Sequence, residues 1–149
     1  MNQRFVGGMR AALFDSPLVT SRLTLAVGEL LWAVMLLWPG DTFVRPTYSM
    51  MGRIAPEPCW AVAFLVTALL QSWIVAMELY DTRAAWLFSG WNTTLWFTAI
   101  YCMLESVYPP PAAIGGEVAL AISALWIFTR PIINHMGEAR CAKQRQLAL

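Results

Sequence analysis

The stretch LTLAVGELLWAVMLLW, Leu23 to Trp38, carries one ionisable side chain, Glu29, in an otherwise apolar run. It does not alternate with period two, so it reads as a helix and not as a half-buried strand. Upstream, Ser16-Pro17 has the form of an N-cap followed by a first helical residue. Downstream, Pro39-Gly40-Asp41 ends the helix. The resulting segment, 17–38, has the length a helix needs to cross ~30 Å of hydrocarbon.

Three similar segments follow. One spans 59–80, preceded by Pro56 and Pro58. Another spans 84–108 and is stopped by Pro109-Pro110-Pro111. The last, 112–130, is followed by Pro131. The chain is 58% hydrophobic and 13% charged, where a soluble domain carries about 25% charge. Its eight Trp suit the headgroup boundary, where an apolar ring and a polar N–H are both satisfied. These features predict an all-α fold, a single four-helix transmembrane domain over 1–149, arranged as an antiparallel up-down bundle. The lipid bilayer is then its first partner, and a net charge of +1 leaves no field to attract nucleic acid.

Orientation follows from Lys and Arg. Arg4, Arg10 and Arg22 precede the apolar run that begins at Leu23, and Arg83 lies between the second and third segments. Arg130, Arg140, Lys143 and Arg145 follow the last. The opposite side holds only Arg45 and Arg53. The bias puts both termini in the cytoplasm. The 39–58 loop is then external, and the basic tail 131–149 is a short cytoplasmic helix or a disordered end. Residues Arg4 to Asp15 can form an interfacial amphipathic helix, although Gly7 and Gly8 weaken it. Arg4, Arg10, Asp15 and Arg22 interrupt the N-terminus too often for a cleavable signal, so the first span should be retained.

Polar residues inside spans are where function concentrates in such proteins. Counting from the boundaries, Glu29, Gln71, Asn92 and Ser123, one per span, fall about 10–12 Å from the cytoplasmic side. Two readings are open: a layer that pins helix register, or the lining of a water-filled or ion-conducting path. Glu78 and Asp81 lie at the inner boundary. Glu105 and Glu117 flank the proline turn at the outer one, as solvated acids or as a cation site. Rows of small residues, Ala68/Ser72/Ala76, Gly90/Thr94/Thr98 and Gly115/Ala119/Ser123, suit close helix approach within one bundle or a homo-oligomer.

Cys59, Cys102 and Cys141 read as apolar fillers, with a Cys59–Cys102 bridge as the alternative. The lone His135 follows the last span, so no haem pair, metal site or other cofactor is expected. Ser and Thr have no intramembrane His partner to activate them as nucleophiles, so an enzyme is not expected. No phosphate loop is present, and the Asn92-Thr93-Thr94 sequon lies inside a span. Trp38, Trp60, Trp86, Trp91, Trp96 and Trp126 read mostly as interface anchors or packing.

Leu37 to Phe43 with Arg45 to Tyr48, Ala55-Pro56-Glu57, Ser106 to Ile114 and Gly116 to Ala121 resemble segments of small four-span membrane proteins encoded by tailed bacteriophages and prophages. The resemblance implies a bacterial inner membrane and a role in infection or lysis, and carries no site residues. The leading expectation is a non-enzymatic, oligomer-forming membrane protein, holin-like or channel-like. The rival is an accessory or scaffold subunit, or a superinfection-exclusion factor, that binds a membrane-protein partner. A ring with Glu29 and Asn92 on its axis would indicate a pore; the same residues sealed within one copy would indicate a structural layer.

Overall fold

The computed structural model describes residues 16–40, 42–79, 82–107 and 114–147, with side chains described as far as Ile133. These residues form five α-helices and no strand: α1 (Pro17–Leu37), α2 (Ser49–Ile54), α3 (Glu57–Ala76), α4 (Arg83–Ser106) and α5 (Ile114–Leu147). Two 3-10 turns, Thr42–Val44 and Pro46–Tyr48, precede α2. The interfacial helix expected at 4–15 and the turn at Pro109–Pro111 lie outside the described residues.

Pro17–Leu37, Glu57–Ala76 and the Ile114–Ile133 part of α5 are long and apolar enough to cross a membrane. The segment expected over 84–108 is also helical and, with 24 residues in α4, about as long as a bilayer core is thick. It is less apolar, because Ser89, Asn92, Thr93, Thr94 and Thr98 interrupt it.

Helix ends follow local chemistry. Pro17 opens α1 as expected, but the Ser16 side chain makes no capping bond. Thr82 caps α4: its hydroxyl accepts the Ala85 amide at 3.1 Å. The second segment was expected to reach residue 80, but α3 stops at Ala76. There Glu78 adopts φ 54°, and the Leu79 and Glu78 amides donate back to Ile74 and Val75. This is a left-handed helix terminus that closes carbonyls the helix itself leaves unpaired. Conversely, Pro131 does not end the last helix; it lies inside α5, which runs on to Leu147. The tail backbone is therefore helical. In the turn before this proline, the Phe128 carbonyl accepts the Trp86 indole N–H at 3.1 Å. The carbonyl that Pro131 deprives of its donor is that of Ile127, one residue earlier, so the indole ties this turn to α4 without replacing the lost bond.

Each helix buries a stripe at helical spacing. On α1 it comprises Val19, Arg22, Leu25, Ala26, Glu29, Trp32, Ala33 and Leu36. The closest helix pairs are α1 with α3 and α4 with α5, with α1 also touching α5. Gly28 sets that last approach, since a Cβ there would lie 2.8 Å from Leu120 Cδ1. At one end of the bundle, the 42–54 loop folds back over the core. The Glu57 carboxylate accepts the Thr42 amide with both oxygens, at 3.1 and 3.2 Å. The Ser106 hydroxyl accepts the Met50 amide at 3.1 Å, and Met51 is fully buried.

Candidate functional site: a buried polar column closed by aromatic rings

The interior holds an unusual set of side chains. Arg22, Gln71 and Ser89 are at most 2% exposed, and Glu29 and Asn92 are 0% exposed. Meanwhile Leu31, Leu69, Leu87, Ile122 and Ile133 are about 60% exposed. In water this distribution would be inverted. It suits a surface that faces hydrocarbon and an interior that collects the polar groups.

Two tiers make up the column. In the lower tier, the Arg22 guanidinium donates to Gln71 Oε1 at 2.7 Å and to the Ser89 hydroxyl at 3.1 Å. These bonds join α1, α3 and α4 at one level. In the upper tier, the Trp96 indole N–H donates to Glu29 Oε1 at 3.4 Å, a long bond, and Asn92 adjoins the same carboxylate. Glu29 Oε2, both polar atoms of the Asn92 amide and Gln71 Nε2 have no hydrogen-bond partner among the described residues. Arg22 and Glu29 are seven residues apart on one helix. That is two turns, so both face the same way with about 10 Å between tiers.

Beyond Glu29 the column ends on aromatic rings. Phe64 packs 5.2 Å from Trp96 and 5.4 Å from Trp32, centroid to centroid, and Trp32 meets Trp96 edge-on at 6.2 Å. Above them, Tyr48 of the loop sits edge-on to Trp32 at 5.9 Å. Burial and the neighbouring Glu117 carboxylate push the Tyr48 phenol above its ordinary 10.0, with Arg45 opposing them.

Three members of the expected layer, Glu29, Gln71 and Asn92, do meet in the interior, but as two tiers. Ser123 does not join them. It lies half-buried on α5, and its hydroxyl donates to its own helix at Ala119 O, 2.9 Å away. Lipid demands that hydroxyls be satisfied locally, and Thr67, Thr93 and Thr98 show the same back-bonding. Arg22 had been assigned to the cytoplasmic boundary, yet it lies inside α1 and is buried. The signal was available: once Ser16-Pro17 starts the helix, Arg22 falls on the face of Glu29. Ser89 and Trp96 carried no such signal, because a serine or tryptophan in an apolar run reads as packing.

The acids at the other end are not a matched pair. Glu105 is exposed, while Glu117 is half-buried beside Tyr48. Among the described residues, no group of three His, Cys, Asp or Glu side chains could hold a metal. The Cys59–Cys102 bridge is not formed. Both thiols are free, Cys59 exposed and Cys102 buried, since one faces outward on α3 and the other faces the core on α4. Of the small-residue rows, Ala68 is buried, but Gly115 and Ala119 are exposed, so that row faces away from the bundle. Comparison with protein-family models, curated proteins and solved structures finds no match for this chain.

Proposed function

We propose that this chain is a non-enzymatic, multi-pass protein of the bacterial inner membrane that self-associates and confers a controlled permeability. Of the holin-like and channel-like forms, the channel-like one is favoured, with the path inside each bundle. The observation that carries this is the buried polar column of Arg22, Gln71, Ser89, Asn92 and Glu29, stopped by Trp32, Phe64 and Trp96. A ring of apolar side chains across a polar path is how hydrophobic constrictions gate channels. Because Glu29 and Asn92 have no exposed surface, a pore running between copies would not be lined by them.

The side-chain pairings support an up-down course with α4 as a fourth span. Arg22 bonds Ser89 and Glu29 accepts from Trp96, the same sequence offset of 67 in both cases. Helices paired at a fixed offset run in one direction. On α3 the order reverses: Gln71 meets Arg22, and the earlier Phe64 meets the later Trp32. Together with the basic bias of the sequence, this course supports a cytoplasmic location for both termini. The likeness of several segments to phage-encoded membrane proteins accords with a permeability role.

Expression of the full chain in bacteria loaded with a membrane-potential dye tests the reading. Depolarisation is expected, and it should rise in Phe64→Ala, which opens the constriction. An unchanged potential at high expression, in the wild type and in Phe64→Ala alike, would refute it. Release of large solutes would indicate the holin-like form instead.

A scaffold role is the second reading. It is favoured by an outward groove of about 250 Å³ between α3 and α4, lined by Ile54, Trp60, Trp91 and Thr98 among others. Co-purification of one defined membrane protein, lost when Trp91 is replaced by alanine, would favour it.

A further inference from the structure

We infer that the species handled by the column is the proton, and that Glu29 is its exchangeable binding site. The inference rests on the channel-like reading for transport, though not for binding.

The donor set argues against a metal cation. Around Glu29 the free oxygens are Glu29 Oε2 and Asn92 Oδ1. The other polar groups nearby are N–H donors: the Trp96 indole, the Asn92 amide nitrogen and, toward the lower tier, Gln71 Nε2. A hard cation needs about six oxygens. The permanent positive charge of Arg22, two turns away, further disfavours one. A proton needs only one oxygen, and Glu29 Oε2 makes no close hydrogen bond among the described residues, with only the neutral Asn92 amide beside the carboxylate. Binding is balanced simply: a carboxylate and a hydronium ion give a neutral carboxylic acid and water. The neutral acid then becomes a donor that the adjacent Asn92 carbonyl can accept, which links it to the amide.

The charge environment permits exchange. On α1 the only other ionisable group in the column is Arg22; α3 contributes Gln71 and Thr67. From α4 come Asn92 and Trp96, while α5 presents Ala121, Ala124 and Ile127 to the core. Cys102 is ten residues further along α4, beyond the rings. No second carboxylate or fixed cation touches Glu29 among these, so its charge state is free to change with the proton supply. The long 3.4 Å bond from Trp96 holds the group in place without satisfying it.

The full chain in phosphatidylethanolamine–phosphatidylglycerol vesicles, with a pH dye inside and a potassium gradient clamped by valinomycin, reads the flux. Infrared difference spectra of the same vesicles, taken from acid to alkaline pH, read the carboxyl. Proton flux in the wild type, loss to the protein-free level in Glu29→Gln and partial retention in Glu29→Asp are expected. A buried carboxylic-acid band should titrate, shift in Asn92→Leu and vanish in Glu29→Gln. Equal flux in Glu29→Gln overturns the inference, as does a wild-type band that never changes with pH. If no variant conducts but the band still titrates, the proton site stands and the channel reading fails.

Discussion

At the scale of single residues, Arg22 and Glu29 define the problem this protein solves. A charge without partners inside a bilayer costs several kcal/mol. Arg22 is supplied with a carbonyl oxygen from Gln71 and a hydroxyl from Ser89. Gln71→Leu removes the shorter of these bonds and leaves a buried cation short of an acceptor. A loss of about 2 kcal/mol is expected, read as a lower thermal midpoint in mild detergent. Gln71→Glu should retain most of the stability. Tyr48 offers a pH test outside the spans. Its folded value lies above the ordinary 10.0, so the neutral phenol is favoured by folding. The contribution is complete below the unfolded value and is lost as pH rises through the folded one. Thermal midpoints should therefore fall on the alkaline side above pH 10.0, and Tyr48→Phe should flatten that limb.

At the scale of elements, glycine placement decides which helices touch. The expected contact rows were three runs of small residues at four-residue spacing, on α3, α4 and α5, yet only part of them faces the core. Gly28, which was not in any row, is where α1 meets α5. A Cβ there would approach Leu120 at 2.8 Å, and the obstacle is a flexible side chain and not backbone. Gly28→Ala should cost about 1 kcal/mol. Leu120→Ala in the same chain should recover most of that, so the double mutant departs from additivity. Gly115→Ala has open space around it and should be neutral or slightly stabilising through helix propensity. The proline positions teach the same lesson. Pro17 marks a start because a first-turn proline lacks only an N–H that would be orphaned anyway. Pro131 looks like a stop in the sequence, but α5 continues, with the Trp86 indole bonded to the carbonyl of Phe128.

For the whole molecule, the distribution of polarity is the main result. Leucines and isoleucines such as Leu31, Leu69 and Ile122 face out while an arginine, a glutamate, a glutamine and an asparagine are sealed in. The two described thiols probe this directly. Cys59 is exposed on α3 and borders the outward groove, whereas Cys102 is fully buried. A membrane-permeant maleimide should label Cys59 in native membranes and reach Cys102 only after denaturation. Equal labelling of both would mean that the core around Trp96 and Met103 is loose.

Composition, run length and capping residues were enough to determine an all-helical chain with spans beginning at Pro17 and near Pro58. They also marked Glu29, Gln71 and Asn92, which the fold buries together, because a carboxylate or amide stands out in an apolar run. The sequence could not assign Ser89 to the interior or Ser123 to its own backbone. Nor could it divide the polar layer into two tiers beneath a cap of rings. Those outcomes depend on which faces of α1, α3, α4 and α5 meet, and helical periodicity leaves that rotation open until large side chains such as Trp32, Phe64 and Trp96 interlock.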